Sequence, residues 1–196
     1  MLMRRTRAGG YGVIEMLVVL VIAAIILAYA VPAYKSLITQ NRMGGEINDL
    51  QGDLELSRSS AIKQGVPVVI CPSSNPTATT PSCSGSTSWQ SGWIVFTDIG
   101  QNQTYAADSG DTLLHVHSPL QLDDTLTGSV SETANGAFGG TLTYLSFNRM
   151  GAPSLATPSK YAALSVHDAN STVGWYRCVI VSIVGTTTLQ PPGSCP

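Results

Sequence analysis

The chain has 196 residues, only 11% of them charged, and a formal net charge of −2. Arg4, Arg5 and Arg7 sit in the first ten residues with no acid beside them, so the remainder stands at −5. That balance argues against a general nucleic-acid surface, which needs clustered Lys and Arg. Ser, Thr and Gly are abundant, as in exported β-rich domains, and no internal repeat is evident.

The chain opens with the arginines, then Gly9-Gly10-Tyr11-Gly12-Val13-Ile14-Glu15, then an apolar run over residues 16–31 closed by Pro32. With its flanks the run approaches the roughly 20 residues needed to cross a bilayer. Basic residues ahead of it would keep the N-terminus in the cytoplasm and send the rest outward. A removed signal peptide is the alternative, with Ala28-Tyr29-Ala30 as a small-x-small cleavage site. Glu15 fits both readings poorly. A carboxylate at membrane depth costs several kcal/mol without a partner and is functional by default. A helix stacked against copies of itself supplies a partner, the free α-amino group of a neighbouring chain. That amine must then lie at the same depth, which requires a cut just ahead of the run, at the Gly10–Tyr11 bond.

This stretch resembles the class III leader of type IV pilins and type II secretion pseudopilins. Gly10, Tyr11, Ile14 and Glu15 match the pattern, and Pro32 falls where many pilins carry a helix-softening proline. Tyr11 stands in place of the commoner phenylalanine and Gly12 in place of a threonine or serine. The resemblance implies cleavage by prepilin peptidase between Gly10 and Tyr11, N-methylation of Tyr11, and subunit assembly through Glu15 and Pro32.

After Pro32 the helix pattern continues to about Gln64. Met43, Ile47, Leu50, Leu54 and Ala61 recur on one face, while Arg42, Glu46, Asp49, Asp53 and Arg58 occupy the remainder. Gly65 then Val66-Pro67 supply a C-cap and a stop. Pro32 and Gly44-Gly45 are the places where such a helix bends or melts. Downstream, residues 66–71, 93–97, 113–117, 141–147, 161–167 and 175–184 read as strands between Gly, Pro, Asp or Ser clusters. The buried face of 141–147 is ambiguous, because Leu142, Tyr144 and Ser146 alternate with Thr143, Leu145 and Phe147. Residues 72–91 read as an exposed Ser/Thr/Pro loop pinned by Cys83, and residues 135–140 as a flexible turn.

The passage from Leu54 through Val68 resembles the helix-to-first-strand segment of minor pilins and pseudopilins of the GspH/FimT type, which includes FimU-like proteins. Gly92-Trp93-Ile94-Val95-Phe96-Thr97-Asp98 resembles their second signature, and Phe147-Asn148-Arg149-Met150-Gly151 a weaker third. The resemblance implies an α+β, pilin-like fold: a long N-terminal helical spine packed on a C-terminal antiparallel β-sandwich-like domain. The expected organisation is a cleaved leader at 1–10, an apolar transmembrane and assembly helix at 11–34, an amphipathic continuation at 35–65 and a β-rich domain at 66–196.

Cys71, Cys83, Cys178 and Cys195 all follow the helix, and export makes two disulfides the expectation. Four cysteines allow three connectivities. Cys71–Cys83 and Cys178–Cys195 are favoured because each closes a short loop. Zinc is disfavoured, since no C-x-x-C pair is present. His115 and His117 share one strand face and His167 precedes Asp168, yet no HExxH, no GxSxG and no third ligand accompanies them. Packed or exposed histidines are the plainer reading, and no catalytic residue, metal site or cofactor is expected. Asp98 to Asn102 reads as a strand-ending turn rather than a calcium loop, and Trp93, Phe96 and Trp175 as core.

Some FimT-type proteins bind DNA through a C-terminal Gly-Arg-x-Arg motif. The corresponding residues here are Gly185-Thr186-Thr187-Thr188, so both arginines are missing, and DNA is not an expected partner. The sequence therefore points to a non-enzymatic structural subunit of the bacterial inner membrane with a periplasmic C-terminal domain. It would be a minor type IV pilin that primes or caps a filament, with other minor pilins, the major pilin and prepilin peptidase as partners. The alternatives are a minor pseudopilin of type II secretion and, less favoured, a DNA-binding subunit of transformation.

Overall fold

A computed structural model describes residues 12–134, 137–155, 159–170, 172–192 and 194–195. The expected leader and the Gly10–Tyr11 bond lie outside them, as do Asn135 and Gly136 of the expected turn. The chain divides into two compact units, Met1–Gln40 and Asn41–Pro196.

The described part of the first unit is helical. Helix α1 (Val13–Gln64) opens there with Glu15 in its first turn and Pro32 inside it. Seventeen large apolar side chains from Val13 through Ile38, mostly Val, Ile and Leu, are exposed. The helix is long and apolar enough to cross a membrane, and its apolar window has no burial within the protein.

The second unit takes in the rest of α1 and two five-stranded antiparallel sheets. The first sheet has the order β3-β2-β1-β6-β7, with β1 Val68–Pro72, β2 Trp93–Thr97, β3 Leu113–His117, β6 Leu145–Phe147 and β7 Pro153–Leu155. The second has the order β10-β9-β8-β4-β5, with β4 Thr125–Ser131, β5 Gly140–Thr141, β8 Tyr161–His167, β9 Arg177–Ser182 and β10 Thr187–Gln190. This is the expected α+β arrangement.

The apolar stripe of α1 lies in the core. Met43, Ile47, Leu50, Leu54 and Ala61 are at most 1% exposed and pack with Val68, Val95, Leu164 and Val181 from both sheets. Burying each of the larger side chains among these contributes about 1.5–3 kcal/mol. Strand β1 alternates: Val68 and Ile70 face that core, while Val69 and Cys71 face a second cluster with Ile94 and Phe96, covered by Cys83, Tyr105 and Tyr144. Both faces of β1 are therefore buried.

Several expectations are corrected. Residues 141–147 are not one strand: Thr141 ends β5 in the second sheet and Leu145 starts β6 in the first. The crossing between sheets explains why no single alternation fitted. The loop over 72–91 is not uniformly exposed. Trp89, in a 3-10 turn Trp89–Ser91, is fully buried, and its indole N–H donates to the Leu142 carbonyl at 3.0 Å. Strands β4, β7 and β10 are additional to those read from the sequence. At the ends, β1 begins at Val68 rather than Val66, and the stretch expected at 175–184 is the shorter β9.

Candidate functional site

At the head of α1, Glu15 lies in the first turn and its backbone N–H donates to the Gly12 carbonyl at 3.1 Å. Val13, Ile14, Met16 and Leu17 around it are exposed, so the carboxylate sits at the end of a bare apolar surface. Gly10 and Tyr11 lie outside the described residues, and Pro32 is interior to the helix.

In the second unit the polar face of α1 meets the far edge of the first sheet. Asp53, expected on the solvent side, is 6% exposed. Its Oδ2 accepts the Trp93 indole N–H at 2.8 Å, and its Oδ1 lies 2.9 Å from His115 Nδ1. His117 stacks flat on Trp93 with centroids 3.8 Å apart and 3° between the planes, and its Nδ1 donates to the Ser118 carbonyl at 2.7 Å. This registers the pair, because β2 and β3 set Trp93 opposite His117. One helical turn earlier Asp49 is exposed, 3.9 Å from His117 Nε2. The sequence signal for Asp53 was its spacing: three residues beyond Leu50 and four before Ser57, it falls on the apolar stripe.

Next to this network Arg42 grips Asp124 with two hydrogen bonds, both 2.7 Å. That hydrogen bonding raises the Arg42 pKa against the opposing effect of burial. Glu46 lies beside the pair, and burial together with the Asp124 charge pushes its pKa up to about 7, opposed by the Gln121 backbone and Arg42. Arg42, Glu46, Asp49, Asp53, His115 and His117 line an open groove of about 780 Å³ between α1 and the segment from β3 to Gln121. Elsewhere His167 stacks on Tyr176 at 3.9 Å, and burial lowers its pKa despite Asp168.

Asp98 and Asp111 close the loop between β2 and β3. Asp98 accepts the N–H groups of Asn102 and Gln103, while Asp111 accepts those of Ile99 and Ala106. Such carboxylates serve the turn itself. Among the described residues no group of three His, Cys, Asp or Glu is placed to hold a metal ion. Cys71 is bonded to Cys83 and Cys178 to Cys195, with Cα separations of 5.6 and 5.7 Å.

A third grouping was not anticipated. Gly151 and Gly185, at φ +78 and +79, bring the β6–β7 and β9–β10 turns together under the helix end. There Arg58 donates to the Val184 carbonyl at 3.2 Å. The glycine that remains of the DNA-binding pattern is thus required by a turn.

The family model for the type II transport protein GspH matches residues 46–185, which takes in the second half of the helix, the first sheet, the second sheet except β10, and the groups above except Glu15, Pro32, Arg42 and the last cysteine. The chain belongs to the GspH family. Among curated proteins no sequence match is found. The solved structure of the type IV minor pilin FimU of Pseudomonas aeruginosa is similar at a TM-score of 0.56 and 17% identity, covering 82% of this chain and 96% of FimU. The minor pseudopilin EpsH of the type 2 secretion system of Vibrio cholerae is similar at a TM-score of 0.50 and 13% identity, covering 78% of this chain and 98% of EpsH. At such identities the likeness establishes the pilin-like fold that this member of the GspH family shares with both.

Proposed function

We propose that this chain is a non-enzymatic minor type IV pilin that primes or caps a pilus filament. The carrying observation is the pairing of a GspH-family domain with a bare apolar helix that has Glu15 in its first turn. In this reading prepilin peptidase removes residues 1–10, Tyr11 becomes the methylated N-terminus, and the helix holds the subunit in the bacterial inner membrane with its domain in the periplasm. Glu15 then pairs with the α-amino group of a neighbouring subunit. Both charges are neutralised where water is scarce, which fixes the register of entry into the filament. Pro32 lacks one helix hydrogen bond and gives the packed helices a place to adjust. The other minor pilins and the major pilin are the neighbours.

The same residues suit a minor pseudopilin of type II secretion, and the likeness to EpsH supports that second reading. The clasp of Cys178 on Cys195 at the chain end favours the pilus system. Intact mass and N-terminal sequencing of protein recovered from membranes test the proposal. A chain starting at methylated Tyr11 is expected, and Glu15→Val should then block entry into filaments while leaving the membrane form intact. A chain starting after Ala30 would lack Glu15 altogether and would overturn the reading. Incorporation into pili or into a secretion pseudopilus, scored in cells with each system deleted, separates the two readings.

A further inference from the structure

Asn75, Asn102 and Asn170 are each followed two residues on by a threonine. An Asn-x-Thr triplet is the acceptor pattern for an N-linked glycan on the surface of exported domains, provided that the middle residue is not proline. Asn75 fails on sequence, since Pro76 follows it. Its Oδ1 is also taken up, by the Ser73 hydroxyl at 3.1 Å and the Ser82 N–H at 3.2 Å. At Asn102 the side-chain oxygen accepts the Thr104 N–H at 2.9 Å, and the Asp98 carboxylate holds the Asn102 and Gln103 N–H groups. That triplet is folded into the turn between β2 and β3.

Asn170 differs. It is exposed on the turn that leaves β8, and among the described residues no hydrogen bond engages its side chain. An asparagine in a turn commonly closes it with its own side chain. Here Asp168, 3% exposed, does so instead. Its carboxylate accepts the Asn170 N–H at 3.3 Å, the Thr172 N–H at 2.7 Å and the Thr172 hydroxyl at 3.2 Å. Behind it His167 stacks on Tyr176. The buried carboxylate therefore sets the backbone and holds the Thr172 hydroxyl on the same turn, while the Asn170 amide is left to solvent with no part in the fold.

We propose that Asn170 is the attachment site of an N-linked glycan, transferred from a polyprenyl diphosphate oligosaccharide. The Asn170 amide nitrogen bonds to the anomeric carbon of the sugar, and the bond from that carbon to the diphosphate oxygen breaks. Polyprenyl diphosphate leaves, the nitrogen gives up one proton, and nothing is oxidised or reduced. The donor is carried on a lipid, which suits a chain whose helix is long and apolar enough to cross a membrane. The inference goes beyond the proposed function; it rests on that reading's export of the domain and not on entry into a filament.

The test is a peptide map of the full chain purified from membranes of its native host. Cleavage after Lys160 and Arg177 releases residues 161–177 as one peptide, which contains Asn170 and lacks Asn102. That peptide is expected to carry a mass shift of several sugar residues, localised to Asn170 by fragmentation. The shift should be lost in Asn170→Gln and in Thr172→Ala, and retained in Thr172→Ser, which keeps the hydroxyl. The same map reads the pairs Cys71–Cys83 and Cys178–Cys195, whose intact bonds show that each variant folded. Both pairs oxidised beside an unmodified Asn170 would overturn the glycan and leave export standing, whereas reduced cysteines would overturn both. A glycan that persists in Asn170→Gln, a glycan on Asn102 instead, or equal occupancy in Thr172→Ala and Thr172→Ser would each overturn the proposal.

Discussion

The carboxylate of Asp53 takes the indole N–H of Trp93 at 2.8 Å, so a charged side chain on the apolar stripe of α1 is satisfied inside the core. Its second oxygen is met by His115. Asp53→Ala leaves the Trp93 donor buried without a partner, which costs about 1–3 kcal/mol. Asp53→Asn keeps an acceptor and should cost less. Chemical denaturation followed by tryptophan fluorescence ranks the two. An unchanged midpoint for Asp53→Ala would show that the hydrogen bond carries no weight.

Glu46 gives stability a pH dependence of unusual sign for a carboxylate. Burial and the Asp124 charge push its pKa in the folded protein up to about 7 from the ordinary 4.5. The folded state therefore holds more protons between those values, and stability falls as pH rises through that window. His167 works the other way. Its folded pKa is lowered, so its contribution is present above the ordinary value of 6.5 and is lost as pH falls through the folded pKa. Glu46→Gln removes the first slope. Its thermal midpoint should rise with pH between about 5 and 7, whereas the wild type stays flatter or declines. Parallel midpoint-against-pH curves for the two proteins would contradict the assignment.

The disulfide Cys71–Cys83 spans 12 residues and ties the end of β1 to the loop that carries Trp89. Closing a loop of that length is worth about 3 kcal/mol in the chain-entropy account. Cys71→Ala with Cys83→Ala should lower stability by about 2–4 kcal/mol, since Cys71 is also fully buried in the second apolar cluster. The pair at Cys178 and Cys195 ties down the chain end, and its removal is expected to raise proteolytic cleavage after β10 (Thr187–Gln190) before it lowers global stability.

Elements whose signal is local were legible in the sequence. Helix α1 was readable because Met43, Ile47, Leu50, Leu54 and Ala61 repeat at helical spacing, and all five lie in the core. Strand β2 was readable from the uninterrupted β-branched and aromatic run Trp93–Thr97, and β3 and β8 from short, mostly apolar runs between Gly, Pro, Asp or Ser clusters. Strand β4 was not, because Thr125 to Ser131 is mostly small and polar with Gly128 at its centre. That glycine answers to a distant residue: a Cβ there would come within 2.6 Å of the Trp89 indole nitrogen. Trp89 itself was hidden in a loop of serines, and Asp53 among charges that the surrounding pattern assigned to solvent. In each case the deciding partner lies 39 residues or more away along the chain.

Gly151 and Gly185 test the turn junction by their order of cost. Both sit near φ +80, where an added Cβ costs about 1–2 kcal/mol. At Gly151 the new atom would lie 2.8 Å from Ile62 Cδ1, the outer end of an exposed side chain that can swing away. At Gly185 it would meet the Gly151 carbonyl oxygen, which belongs to a hydrogen-bonded turn and cannot move aside. Gly151→Ala should therefore cost about 1–2 kcal/mol, and Gly185→Ala a further 1–3 kcal/mol of overpacking. Gly185→Ala should also displace Arg58 from the Val184 carbonyl, seen as faster amide exchange in residues 182–186. Equal destabilisation by the two substitutions would mean that backbone conformation alone, and not the contact between the turns, makes Gly185 necessary.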